Sequence, residues 1–293
     1  MKDFPVEKIE FEGSNIRVES LPLGVKRLVL NRPQVRNAFD EATMSEIKEQ
    51  LDHMAVDLEH EDMRLLVFAG EGKYFSAGAD VGYMRRLAER GEDESLEDAL
   101  ELASLFHQLA DFPTPVVAAV RGAAIGGAFG LAVCMDYVLA EENAIFSTSE
   151  VRLGIVPAVI SPYILRRLGL ANAAALMMSG QRIQAHDAQQ IGLVQKVVAT
   201  DEFDSALQDV VLEFLHAGPH AARRTKTLIK RAYPLPDREL LEFTAGHIAQ
   251  ARCSEEGQAG LKAFFDKEPP PWAKRVRELQ KKGRSQKPVT SDQ

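Results

Sequence analysis

The sequence predicts an α/β fold with parallel β-α-β layering, and three observations carry that expectation. Short apolar, β-branched runs alternate with longer amphipathic stretches as far as residue 162. One run, at 115–120, passes through a glycine-bearing turn at 122–127 into a helical pattern at 128–135. Beyond Pro162 helical patterns take over, and they dominate residues 201–265.

Each element has its own warrant. Residues 7–31 alternate with the strand period, through Ile9, Phe11, Ile16 and Val18, then Val25 to Leu30 after Gly24. Residues 31–37 form a polar, proline-containing loop that ends in a helix-start signal at Asn37. Residues 42–58 set Met44, Ile47, Leu51, Met54 and Leu58 on one helical face. Residues 64–70 read as a compact buried strand, and 74–80 as a second small-residue turn leading to a helix. The charged stretch 89–98 predicts a mobile surface loop ahead of a helix over 97–111. Further on come a helix over 165–179, a link at 181–183, a helix over 185–191 closing at Gly192, and an apolar run at 193–198. Pro269, Pro270, Pro271 and Trp272 stop the last helix.

Composition narrows the function classes. With 35 Lys+Arg against 43 Asp+Glu, the net charge of −8 argues against a general nucleic-acid surface. Residues 273–293 carry seven Lys/Arg against Glu278 and Asp292, and read as a solvated tail open to disorder. Cys134 and Cys253 make neither a disulfide framework nor a metal spacing, so no metal is expected. No apolar leader and no membrane-length run is present, which predicts a soluble cytoplasmic protein.

The chemistry concentrates between Arg121 and Tyr163. Free N–H groups at a helix start can face an anion, and Gly126 and Gly127 let a ligand reach the main chain. Glu150 follows in a short polar patch. One carboxylate beside backbone donors suggests proton transfer next to a stabilised oxyanion. Asp80 reads first as a helix cap, Asp136 as a structural hydrogen-bonding group, and Cys134 as a buried apolar residue. Tyr83 and His107 read as packing or surface residues.

Ordered motifs then point to a family. Asn31-Arg-Pro…Asn37-Ala38, Phe75-Ser-Ala-Gly-Ala-Asp80, Gly122-Ala-Ala-Ile-Gly-Gly127, Cys134-Met-Asp136 and Ser149-Glu-Val-Arg-Leu-Gly154 resemble the crotonase, or enoyl-CoA hydratase/isomerase, superfamily. Late matches are Ala185…Ala188…Gly192-Leu-Val194 and Gly260-Leu-Lys-Ala-Phe-Phe265. The resemblance implies a spiral of β-β-α repeats in two nearly perpendicular sheets over residues 1–195. It also implies a helical region at 196–272 that assembles trimers or pairs of trimers, with 273–293 as the tail.

It implies further that the substrate is a coenzyme A thioester and that no separate cofactor is needed. By position, the N–H groups of Ala79 and Gly127 would hold the thioester oxygen, with Glu150 as acid/base. Ala38 and Ala77 would offer carbonyls to the CoA moiety, Arg36 would lie near its phosphates, and Asp80 closes the same motif. Phe264 and Lys267 would reach the nucleotide end. Arg36 and Lys267 read equally well as solvated charge.

One position departs from the pattern. Two-glutamate hydratases carry an earlier Glu where this chain has Gly130. A lone carboxylate suits a 1,3-proton shift, as in single-glutamate isomerases of this family. Yet residues 149–163 resemble bacterial hydratases of branched glutaconyl-CoA esters, of the 3-methylglutaconyl-CoA and isohexenylglutaconyl-CoA types. Gly130 would then vacate room beside the thioester for a branched acyl chain, and Arg152, Arg85 or Arg86 would meet its distal carboxylate. The reading is hydration of a 3-methylglutaconyl-CoA-like ester. The rivals are a Δ3,Δ2-enoyl-CoA isomerase, an acyl-CoA decarboxylase, and a non-catalytic CoA-ester or RNA-binding member.

Overall fold

The structure is a computed structural model that describes residues 5–57, 63–233 and 237–271. The first strands, β1 (Lys8–Glu12), β2 (Ile16–Leu21) and β3 (Val25–Leu30), pair antiparallel as a meander. Helix α1 (Glu41–Asp57) is capped by Asp40, whose Oδ1 accepts from the Thr43 N–H at 3.0 Å. That corrects the expected cap at Asn37. The Asn37 amide instead donates to the carbonyls of Glu71 and Tyr74 at 3.0 and 2.7 Å, tying its loop to the next repeat. Leu58, Trp272 and the tail 273–293 lie outside the described residues.

Strand β4 (Leu65–Gly70) pairs parallel with β3. Helix α2 (Val81–Ala88) follows, then α3 (Glu92–Asp111), which overturns the loop expected at 89–98. Glu92, Asp93 and Glu94 fill the first turn of α3, where carboxylates meet the positive end of the helix dipole. The charge that suggested a loop is the charge that favours the helix start.

Strands β5 (Val116–Val120) and β6 (Ala123–Ile125) lead into α4 (Gly127–Cys134). The expected glycine turn therefore contains a strand. Strands β7 (Tyr137–Glu141) and β8 (Ile145–Ser147) precede a 3₁₀ turn at Ser149–Leu153. Helix α5 (Ser161–Ser179) is interrupted at Gly169; β9 (Ile183–Gln184), α6 (Ala185–Gln190) and β10 (Lys196–Val198) complete the layers. Strands β3, β4, β5, β7 and β10 run parallel in one seven-stranded sheet with β1 and β2, while β6, β8 and β9 make a second sheet. Consecutive strands thus alternate between two sheets, β5 then β6 and β7 then β8. This is the β-β-α spiral of the crotonase fold.

Apolar side chains of the large sheet, among them Leu65, Val67, Val117 and Leu139, pack under α7 (Phe203–His216). Helix α8 (Pro219–Ala232) is anchored by the Lys226 ammonium, 2.5 Å from Asp136 Oδ2 and 3.0 Å from the Thr114 carbonyl. Asp136 therefore has the structural role expected of it. Helix α9 (Arg238–Cys253) lies along α3, and α10 (Glu255–Phe265) rests on α2 and on the 3₁₀ turn. The C-terminal helices thus close over the chain's own core.

Candidate active site

Three backbone segments lie side by side at the centre of the site. The Ala77 N–H donates to the Arg36 carbonyl, Phe39 N–H to Gly78, and Asp80 N–H to Phe39, at 3.0, 2.9 and 2.9 Å. On the other side Ser76 N–H donates to Ala123 at 3.0 Å, and Ile125 N–H to Ser76 at 3.4 Å. Gly78 makes the close approach possible: its φ is +88°, and a β-carbon there would run into the Ile125 carbonyl oxygen. Among the described residues the N–H groups of Ala79 and Gly127 have no acceptor. Gly127 is the first residue of α4, where N–H groups lack intrahelical partners.

Glu150 is brought to these donors by the second sheet. Parallel pairing of β6 with β8 and the Gly126 N–H bond to Ser147 at 2.8 Å set the 3₁₀ turn beside Gly126. Ser147 Oγ and Thr148 Oγ1 donate to Gly180 and Leu176 at 3.1 and 3.0 Å, pinning the turn to α5. Gly126 has φ +57° and ψ −122°, a conformation suited to glycine, and Glu150 Oε1 lies 3.5 Å from where its β-carbon would be. Glu150 Oε2 is enclosed without a hydrogen-bond partner. Burial pushes this carboxyl up to about 7, against a small opposing pull from its own backbone N–H.

A cavity of about 820 Å³ opens here, and Ala79, Gly127 and Glu150 line it. Arg36, Ala38, Ala77, Asp80 and Phe264 line it too. The Ala38 carbonyl already accepts from Arg32 Nη1 at 2.8 Å, and Arg36 stacks over Tyr74 with 5.6 Å to the ring centroid. Asp80 caps α2 through the N–H groups of Gly82 and Tyr83 and pairs with Arg32 at 3.3 Å, so its cap reading is the observed one.

Two sequence-derived positions are not part of the lining. Lys267 is exposed outside the cavity. Gly130 faces hydrocarbon: a β-carbon there would lie 2.3 Å from Ile160 Cγ2 and 3.0 Å from the Phe106 ring. The room expected beside the thioester is thus filled by Ile160 and Phe106. Of the three candidate cations, Arg152 lines the cavity, while Arg85 stacks on Phe265 and Arg86 pairs with Glu41 at 2.7 Å.

Sequence reasoning missed a buried polar group on the cavity wall. Tyr83 OH lies 2.8 and 2.7 Å from the two oxygens of Asp98, and Arg252 Nη1 donates to Asp98 Oδ2 at 3.2 Å. Burial first, and the Asp98 charge next, push the Tyr83 phenol far above its usual range. Three residues on α2, α3 and α9 leave no spacing signal. Only a charged residue at an otherwise apolar helix position could have hinted at them.

The chain matches the family model described as "Enoyl-CoA hydratase/isomerase" over residues 21–275. It is 32% identical over 251 residues to the 2,3-dehydroadipyl-CoA hydratase of Escherichia coli, covering 83% of this chain and 92% of that one. It is also 32% identical over 244 residues to the crotonyl-CoA hydratase of Syntrophomonas wolfei, covering 82% and 91%. Among solved structures, an enoyl-CoA hydratase from Shewanella pealeana superposes with a TM-score of 0.70 at 39% identity, covering 88% of this chain and 96% of that chain.

Proposed function

The chain belongs to the enoyl-CoA hydratase/isomerase family, and from that premise we propose that it adds water to a branched α,β-unsaturated acyl-CoA, with a 3-methylglutaconyl-CoA-like ester as first choice. It is an enzyme of that family and a lyase, and its hydratase relatives support enoyl-CoA hydration as the general activity. The finer substrate draws support from the Escherichia coli relative, whose named substrate also carries a carboxylate at the far end of its acyl chain.

One observation carries the reaction. Glu150 stands at a cavity wall beside the unpaired N–H groups of Gly127 and Ala79, its carboxyl held near neutrality by burial. A group that titrates near neutral pH can accept a proton and return it within one turnover. The Glu150 carboxylate takes a proton from water as the oxygen adds to the β-carbon. Electron density moves onto the thioester oxygen, where the two N–H groups stabilise it; each such donor is worth roughly 3–4 kcal/mol of barrier. Glu150 then gives that proton to the α-carbon, so one water is consumed and the carboxylate is restored.

A second reading, isomerisation of a 3-enoyl ester, is favoured by the filled place beside Gly130. With Ile160 and Phe106 there, a second carboxylate at position 130 has no space, and a lone base suffices for a 1,3-proton shift. Turnover in deuterated water separates the two. Gain of one water on 3-methylglutaconyl-CoA, with little on crotonyl-CoA, is the expected result. Double-bond migration on a 3-enoyl-CoA without water gain would replace hydration by isomerisation.

Assembly as a homotrimer or a pair of trimers accompanies this reading. Exposed Leu228 and Ile229 on α8 and Phe243 on α9 supply apolar surface for it.

A further inference from the structure

The buried group of Tyr83, Asp98 and Arg252 has chemistry that acid/base catalysis at Glu150 does not use. Arg252 is 8% exposed, Asp98 7% and Tyr83 1%. Tyr83 and Arg252 line the same cavity as Glu150. Around them the wall is hydrocarbon: Leu87 lies one turn beyond Tyr83, Leu102 one turn beyond Asp98, and Ile248 one turn before Arg252. Three helices thus present an apolar surface with a single cation set into it.

The guanidinium is only partly used. Its Nη1 donates to Asp98 Oδ2 at 3.2 Å, and among the described residues Nε and Nη2 have no acceptor. Those two nitrogens form the side-on fork that matches the two oxygens of a carboxylate. A buried arginine with an unfilled fork favours an acceptor oxygen over a methyl group, because a methyl group would leave its N–H donors desolvated and unpaired. Asp98, itself held by the Tyr83 hydroxyl, fixes one end of the guanidinium, which reduces the ordering that binding would otherwise require. The other cavity-lining arginines, Arg36, Arg152 and Arg182, are exposed, where water screens them.

We propose that Arg252 is the specificity-determining residue for the far end of the acyl chain, its free fork receiving a terminal carboxylate while Leu87, Leu102 and Ile248 enclose the carbons before it. This rests on the reading that the cavity holds an acyl thioester with its carbonyl at Ala79 and Gly127. It replaces Arg85 and Arg86, which are engaged with Phe265 and Glu41, as the cation for a dicarboxylyl substrate.

The test uses unreactive saturated esters, so it stands apart from catalysis. Calorimetric titration of the full chain with 3-methylglutaryl-CoA and with isovaleryl-CoA compares two ligands that differ only in the terminal carboxylate. The expected Kd ratio favours 3-methylglutaryl-CoA by at least tenfold, falls towards one in Arg252→Gln, and is partly kept in Arg252→Lys. Because Arg252→Gln could unfold by leaving Asp98 unpaired, the double variant Arg252→Gln with Asp98→Asn is titrated alongside, and it too should lose the ratio. Equal binding of the two esters by the wild-type chain would overturn the assignment while leaving hydration at Glu150 standing. A wild-type ratio that persists in the double variant would move recognition to another cation. Absence of binding by either ester would sink the thioester reading beneath both proposals.

Discussion

Ile160 Cγ2 lies only 2.3 Å from the place that a β-carbon on Gly130 would take, and the Phe106 ring lies 3.0 Å from the same point. A glycine on a buried helix usually signals either a required backbone conformation or a required absence of side chain. Here it is the second, since α4 is helical through Gly130. The absence lets α4 approach α5 and α3 closely, and it leaves the catalytic wall with hydrocarbon where a second acid would stand.

Gly130→Ala should therefore lower stability despite the better helix propensity of alanine. Overpacking of this kind costs about 1–3 kcal/mol. Gly130→Glu should cost more, because its carboxylate would also be buried without a partner. Urea denaturation measures both. Combining Gly130→Ala with Ile160→Ala should cost less than the sum of the single changes, because the second makes room for the first. Additive losses would mean that the contact is not what keeps position 130 bare.

Glu150→Gln should lower kcat by about 10²- to 10⁴-fold, the range for removing a general acid/base. Thioester affinity should stay close to wild type, because the N–H donors remain. A kcat within a few-fold of wild type would remove Glu150 from the chemistry. The wild-type pH profile gives an independent check. The ionised form is the base and its pKa is about 7, so kcat/KM should fall tenfold per pH unit below that value. A flat profile down to pH 5 would contradict the raised pKa.

The same burial has a signature in stability. The Glu150 carboxyl is raised from 4.5 to about 7 in the folded chain, so the native state binds the proton more tightly than the unfolded state. Stability from this group is full below pH 4.5 and is lost as pH rises through 7. Glutamine cannot ionise and loses nothing. Relative to wild type, Glu150→Gln should therefore gain about 2–3 kcal/mol between pH 4.5 and pH 8, read from urea midpoints across that range. An unchanged difference would place the carboxylate in a solvated setting.

The layers and the glycine turns at the cavity were legible in the sequence, and the physical reason is locality. β5 reads as a strand because all of Val116–Val120 is apolar, and Gly126 and Gly127 announce a close approach of main chain within a single turn. The start of α3 misread because carboxylates at Glu92, Asp93 and Glu94 look like solvated loop until the dipole they cap is known. Gly130 misread because its neighbour Ile160 is thirty positions away, in the turn that leads into α5. Asp98 and Arg252 were invisible for the same reason, with their contact joining α3 to α9.

That contact leads to the last prediction. Among the described residues Asp98 is the only anion paired with the buried Arg252 guanidinium, and it also accepts the Tyr83 hydroxyl. Asp98→Ala would leave a buried cation and a buried hydroxyl without partners, and breaking such a pair costs about 3–5 kcal/mol. Because α9 joins the core along α3, the loss should appear first as faster amide exchange in Arg238–Cys253, ahead of the central strands. Asp98→Asn keeps an acceptor oxygen and should cost less. In whatever Asp98→Asn protein folds, the guanidinium has lost its opposing charge, so its preference for 3-methylglutaryl-CoA over isovaleryl-CoA should rise above that of the wild type. A stability loss below about 1 kcal/mol for Asp98→Ala would show that cavity water already solvates Arg252, since an exposed ion pair is worth no more than that. The triad would then be no clamp between α9 and the core.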